Sequence, residues 1–175
     1  MVVILSFKCL TLEDKEIIEK YINKSKLDSY EYLFSSLYMW RKLNNIKYAV
    51  IDDVLIIEKN EEGKGTFYAQ LFGYNKDNFT NIIDELIKRN LEFTDRDYLF
   101  GDVGDEFVDD LKKYTDFSID IVEDIDDSEY IYNTQDLIEL KGKKYHSKKN
   151  HVNSFLKTYS YDKKQRNQRN GKAKI

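Results

Sequence analysis

The sequence predicts one α/β (α+β) domain over residues 1–162, a mixed, mostly antiparallel sheet flanked by helices, followed by a disordered basic tail at 163–175. Three observations predict it. A chain of 175 residues with 41% hydrophobic and 34% charged content is long enough and apolar enough to bury a core. Three β-rich runs between residues 47 and 72 are separated only by turn signals. Helix-period apolar stripes lie on both sides of those runs.

In chain order, Thr11 with Asp14 three positions on reads as a capping box, and Ile17, Ile18, Tyr21 and Ile22 then recur at helical spacing. A short helix is expected near Ser35 to Lys42, carrying Leu37, Tyr38 and Trp40. Lys47 to Ile51 and Val54 to Glu58 read as strands joined by a tight turn at Asp52-Asp53, with a third strand from Thr66 to Phe72 after a turn at Glu61 to Gly65. Strands so joined form an antiparallel meander. Phe79, Ile82, Ile83, Leu86 and Ile87 make the clearest helical stripe, with Asp77 as the expected cap. A short strand follows at Leu91 to Phe93 or Tyr98 to Phe100, then a helix through Phe107, Val108, Leu111 and Tyr114, then a strand from Phe117 to Val122. Thr134 is expected to cap a short helix that stops at Gly142, and a last helix covers roughly Tyr145 to Tyr159. Tyr145, Val152, Phe155, Leu156 and Tyr159 share one arc of it, so it should pack on something.

Several classes of function are excluded or weakened. Cys9 is the only cysteine, so no internal disulfide forms, which suits a reducing compartment. The opening run Val2 to Leu5 is soon interrupted by Lys8 and lacks the features of a signal peptide, and no stretch approaches a membrane span, so a cytoplasmic location is expected. No metal is expected. His146 and His151, five apart, point in different directions on a helix. The acidic run at Asp124, Asp126 and Ser128 starts like a calcium loop, but Glu129 stands where glycine is needed and Gln135 where the bidentate carboxylate belongs. Gly63-Lys64-Gly65 lacks the spacing of a phosphate-binding loop. No nucleophile stands out.

Charge is distributed unevenly. Residues 141–175 hold twelve Lys/Arg and only Asp162, whereas the first 140 residues hold 16 Lys/Arg against 31 Asp/Glu. The basic end either meets an anionic partner or lies against the acidic body. Lys141, Lys143, Lys144, His146, Lys148, Lys149 and His151 fall within eleven residues and form the candidate anion or phosphate site, with Lys144, Lys148 and His151 along one edge of the apolar arc. A second candidate is weaker. Gln70, Gly73 and Asn75 lie between the third strand and the clearest helix, where acetyl-CoA-dependent acyltransferases hold a pyrophosphate. Asn75 replaces a small residue there and Asp77 adds the wrong charge, so an ordinary strand-to-helix turn is the competing reading.

The run from Asp126 to Tyr132 (Asp-Asp-Ser-Glu-Tyr-Ile-Tyr), then Asp136 to His146, then Lys148 to Phe155, resembles a bacterial family of uncharacterised proteins related to the C-terminal domain of phosphatidylglycerol lysyltransferase. Phe34 to Trp40 resembles that family's Leu-Tyr-x-Trp segment, and the resemblance covers about residues 7–162. It implies two successive N-acetyltransferase-like (N-acyltransferase) units. It also implies transferase chemistry in which relatives move an aminoacyl group from aminoacyl-tRNA to the headgroup of phosphatidylglycerol, with acyl-CoA as the other donor of that fold. Lys149 stands where Arg is expected, weakening bidentate phosphate recognition, and Glu129 where Asp is usual. The last thirteen residues depart from the pattern, so the chain is expected to hold only the first unit and not to be catalytic alone.

Three functions follow. One is an aminoacyl- or acyltransferase whose basic helix positions a tRNA or lipid phosphate. Another is a non-catalytic module that binds nucleic acid or an anionic lipid headgroup. The last is a non-functional fragment, or one that forms a homodimer through the surface left by the missing unit.

Overall fold

The computed structural model describes residues 5–25, 29–91, 98–123, 125, 128 and 131–159. They fall in two compact units, Met1–Glu123 and Asp124–Ile175.

The first unit is built on an antiparallel sheet in the order β1 (Lys8–Cys9), β2 (Lys47–Ile51), β3 (Val54–Glu61), β4 (Gly65–Tyr68). The mixed α+β class with helices flanking an antiparallel sheet is therefore as read from the sequence. Asp52 and Asp53 both take the left-handed conformation, at φ 49° and 58°, which is the turn that a two-residue hairpin requires. The Tyr21 hydroxyl donates to Asp53 Oδ1 at 2.8 Å and Asn78 Nδ2 to the Asp52 carbonyl at 3.0 Å, fixing the turn. The third strand is shorter than expected: after Tyr68 the chain keeps one ladder bond, Ala69 N to the Ile57 carbonyl at 2.9 Å, and then the bridge Leu55–Phe72.

β3 is buried on both faces, so it alternates between two cores rather than between core and water. Leu55 and Ile57 join Ile18, Tyr21, Leu37 and Tyr48 under α1 (Lys15–Ile22) and α2 (Phe34–Trp40). Val54 and Ile56 join Phe79, Ile82, Leu86 and Phe107 under α3 (Lys76–Asn90) and α4 (Asp105–Tyr114). Rings cluster beneath α3 and α4, with Phe107 edge-on to Phe79, Phe100 and Tyr74 at 5.1–5.9 Å.

The capping box before α1 forms: Thr11 N and Oγ1 each donate to Asp14 Oδ2 at 2.8 Å. Burial alone would raise the Asp14 carboxyl, but the Tyr48 hydroxyl at 2.5 Å, the Lys8 ammonium at 2.9 Å and Thr11 hold it well below the usual carboxylate range.

Three further expectations in the first unit need correction. The cap of α3 is Asn75, two residues before Asp77, because its amide oxygen reaches both Asp77 N and Asn78 N. The short strand around Tyr98 to Phe100 is reduced to one parallel bridge, Tyr68–Phe100, and residues 92–97 lie outside the described set. Phe117 to Val122 forms no strand: it finds no partner strand among the described residues, and β-rich composition has no force without one.

In the second unit, α5 (Thr134–Glu139) is capped by Asn133, not Thr134. The Asn133 side chain accepts from Gln135 N at 2.9 Å and Asp136 N at 3.3 Å. A 3-10 turn, Lys143–Tyr145, leads directly into α6 (His146–Thr158). The acidic run at Asp124 and Asp126 and the basic tail at 163–175 lie outside the described residues.

Candidate functional site

The second unit gathers cations around a turn. α5 ends at Leu140 in the left-handed conformation (φ 47°), with its N–H on the Asp136 carbonyl at 2.8 Å. Gly142 then takes φ 88°, which a residue with a Cβ adopts only under strain, and open space surrounds it. Reversal at Leu140 and Gly142 leaves a concavity of about 470 Å³, open to solvent. Leu140, Lys141, Gly142, Lys143, His146 and Lys149 line it.

The seven basic candidates therefore separate. Lys141, Lys143, His146 and Lys149 share the concavity. Lys143 and Lys149 have no ion pair among the described residues, whereas Lys141 reaches Glu139 at 2.7 Å. Lys144 is spent on Asp136, at 3.1 Å, while lying 4.8 Å from the centre of the Tyr145 ring. The Tyr145 hydroxyl donates to the same carboxylate at 3.2 Å. Hydrogen bonds from Lys144 and Tyr145 keep Asp136 ionised below its ordinary range, and the same contacts raise Lys144. Lys148 sits 5.3 Å from the centre of the Tyr132 ring. His151 is exposed one turn further on. The edge formed by Lys144, Lys148 and His151 is thus distinct from the concavity.

Chemically, the concavity suits an anion. Two ammonium groups without an ion pair among the described residues, a third shared with Glu139 and one imidazole converge on a turn whose glycine lets a ligand approach the backbone. No side-chain cap closes the 3-10 turn. The lining residues carry no carboxylate, thiol or hydroxyl, and their ammonium and imidazole groups suit the positioning of a phosphate.

The other candidate, at residues 70–75, is occupied by the chain itself. Gln70 is buried and its Oε1 accepts from Gly104 N at 2.9 Å. Gly73, at φ 88°, lies against the Asp53 carbonyl and the Tyr21 ring. Asn75 and Asn78 cap each other's backbone: Asn75 N donates to Asn78 Oδ1 at 2.8 Å while Asn75 Oδ1 takes the N–H groups of 77 and 78. A pyrophosphate would need those same N–H groups, so the residues present do not fit that use of the turn. Among the described residues no group of three or more His, Cys, Asp or Glu could hold a metal ion, and no helix is long and apolar enough to cross a membrane.

Sequence reasoning missed a third cluster. Lys59, fully buried on β3, donates to Asp102 Oδ2 at 2.7 Å and Glu31 Oε2 at 3.1 Å, with Glu61 at 3.6 Å. Lys59 stands between Glu58 and Asn60 at the polar end of the β3 run, so no local pattern signalled its burial. Every group in it is paired, which marks it as structural.

Comparison with known proteins adds the following. The family model described as phosphatidylglycerol lysyltransferase, C-terminal, matches residues 23–172. The match takes in the whole concavity and runs ten residues past Asp162, so the likeness extends into the tail that the sequence reading left out. No curated protein matches. A solved structure of a conserved protein of unknown function from Bacteroides thetaiotaomicron is 30% identical, with a TM-score of 0.71 over 89% of this chain and 51% of that one. The chain thus spans about half the length of this relative.

Proposed function

The chain belongs to the family of the phosphatidylglycerol lysyltransferase C-terminal domain, and from that membership we propose that it serves a transferase-class reaction, aminoacyl or acyl transfer, by recognising phosphate. In this reading it works in the cytoplasm, as one lobe of a larger transferase-like architecture, and is not catalytic alone. The observation that carries the reading is the convergence of Lys141, Lys143, His146 and Lys149 on the open turn at Gly142. The phosphate is that of a tRNA or of an anionic lipid headgroup. Both offer the same singly charged phosphodiester, and Lys143 and Lys149, without an ion pair among the described residues, are the cations to meet it. Support for a lobe comes from the span, 51% of the solved relative.

Titration with tRNA and with phosphatidylglycerol or phosphatidylcholine vesicles tests the reading and separates the two sources. With about three phosphates neutralised, tRNA affinity should fall roughly 50-fold between about 50 and 200 mM salt. Replacing Lys143 and Lys149 by alanine should lower the magnitude of the salt slope by about two. Binding of tRNA alone assigns the site to nucleic acid, and binding of phosphatidylglycerol vesicles alone assigns it to the headgroup. Absence of both at low ionic strength, or indifference to the double substitution, overturns the proposal.

A further inference from the structure

Two carboxylates of α5, Asp136 and Glu139, are neighbours on its surface, and each holds a lysine that follows the helix. The two lysines differ in where they stand. Lys144, held by Asp136, does not line the concavity, whereas Lys141, held by Glu139, does. Glu139 is itself outside the lining. The ammonium of a lining lysine is therefore engaged by an anion that belongs to the chain.

The hold on that lysine is fixed from two sides. Glu139 Oε2 takes the Lys141 ammonium at 2.7 Å, while Oε1 accepts from Gln135 Nε2 at 2.8 Å. Gln135 lies one turn back on α5, so the helix itself sets the carboxylate in place. Lys141 first, and Gln135 next, keep the Glu139 carboxyl below its ordinary range, so it is an anion throughout neutral pH. A helix C-terminus does not favour a carboxylate, so α5 gains nothing from this charge at its last residue. What the charge does meet is Lys141.

Strength decides what the pair can do. Lys141 keeps 79% of its side-chain surface exposed and Glu139 35%. An ion pair that open to water is worth up to about fivefold in an equilibrium constant, so an arriving phosphate can break it. We propose that Glu139 is a built-in competitor of the phosphate site, occupying Lys141 with a carboxylate that a bound phosphate displaces. The inference rests on the phosphate reading and adds regulation to it. Lys143 and Lys149 stand ready for the ligand, and Lys141 joins them when the carboxylate yields.

Titration of the full chain with tRNA and with phosphatidylglycerol vesicles tests it, with far-ultraviolet circular dichroism as the control for folding. Glu139→Gln removes the charge yet keeps an oxygen for Gln135. It should raise affinity about three- to fivefold at about 50 mM salt, and increase the magnitude of the tRNA salt slope by about one. In a Lys141→Ala chain the same substitution should change affinity by less than about twofold. Asp136→Asn removes an equal charge from a carboxylate that holds Lys144, and should not raise affinity. A Glu139→Gln chain that binds no better than a binding wild type overturns the proposal and leaves the phosphate reading standing. So does a gain that persists without Lys141, or one that Asp136→Asn reproduces, because net charge alone would then explain it. Binding by neither the wild type nor Glu139→Gln at low ionic strength overturns both.

Discussion

Replacing Lys59 with methionine is expected to destabilise the 1–123 unit by about 3 kcal/mol, because one cation serves three carboxylates in a place water barely reaches. The ammonium lies 5.7 Å from the centre of the Tyr32 ring, and the Tyr32 hydroxyl donates to the Asp102 carbonyl, so the 30–32 turn, the β3–β4 hairpin and the 98–104 loop are tied at one point. Burial by itself would lower the Lys59 pKa. Asp102, then Glu31 and Glu61, reverse that and raise it. A lysine with a raised native pKa contributes stability that is fully present below its unfolded value of about 10.4 and lost only as pH rises through the native value. The wild type should therefore hold this contribution across neutral pH. Methionine keeps most of the volume but leaves Glu31, Glu61 and Asp102 facing each other, with Lys64, at 3.8–3.9 Å from two of them, as the counter-charge among the described residues. Glu61, which burial already raises, is expected to take up a proton as pH falls. The deficit should accordingly shrink between about pH 7 and pH 4 in urea unfolding followed by circular dichroism. An equal deficit at both would mean lost packing, not unpaired charge.

Gly73→Ala should also be costly, again by about 3 kcal/mol. The left-handed conformation at φ 88° costs an alanine about 1–2 kcal/mol. Its Cβ would then stand 2.8 Å from the Asp53 carbonyl oxygen and 2.9 Å from Tyr21 Cδ1, overpacking of a kind that typically costs about 1–3 kcal/mol. The oxygen is backbone in a hairpin turn that Tyr21 and Asn78 already hold, so it cannot move cheaply. Thermal unfolding without any ligand should show the loss. A variant as stable as the wild type would contradict a purely structural role and reopen the turn at 70–75 as a binding site.

Much of the fold was legible because its signals are local. The Asp52-Asp53 turn, the stripe from Phe79 to Ile87 and the Thr11–Asp14 box each sit within one element, and each forms where the sequence places it. What failed depends on distant partners. Phe117 to Val122 has the composition of a strand, but a strand needs a neighbour that composition cannot name. Asn75 displaced Asp77 as the cap because both of its N–H contacts lie within three residues, a competition that residue type alone does not rank. The basic cluster was plain as a cluster, and its division was not. Only the reversal at Leu140 and Gly142 sends Lys143 and Lys149 to one side, while Asp136 captures Lys144 from eight residues away. The Lys59 network joins residues 28 and 43 positions apart, a separation at which sequence patterns carry no information.

Amide chemical-shift mapping, with a short RNA oligonucleotide titrated into the isotopically labelled chain, tests phosphate recognition most directly. The account predicts that the shifts concentrate at Leu140 to Lys144, His146 and Lys149 and fade as salt is added. Shifts centred on Gln70, Gly73 and Asn75, or spread evenly over the basic residues with none at the Gly142 turn, would contradict it.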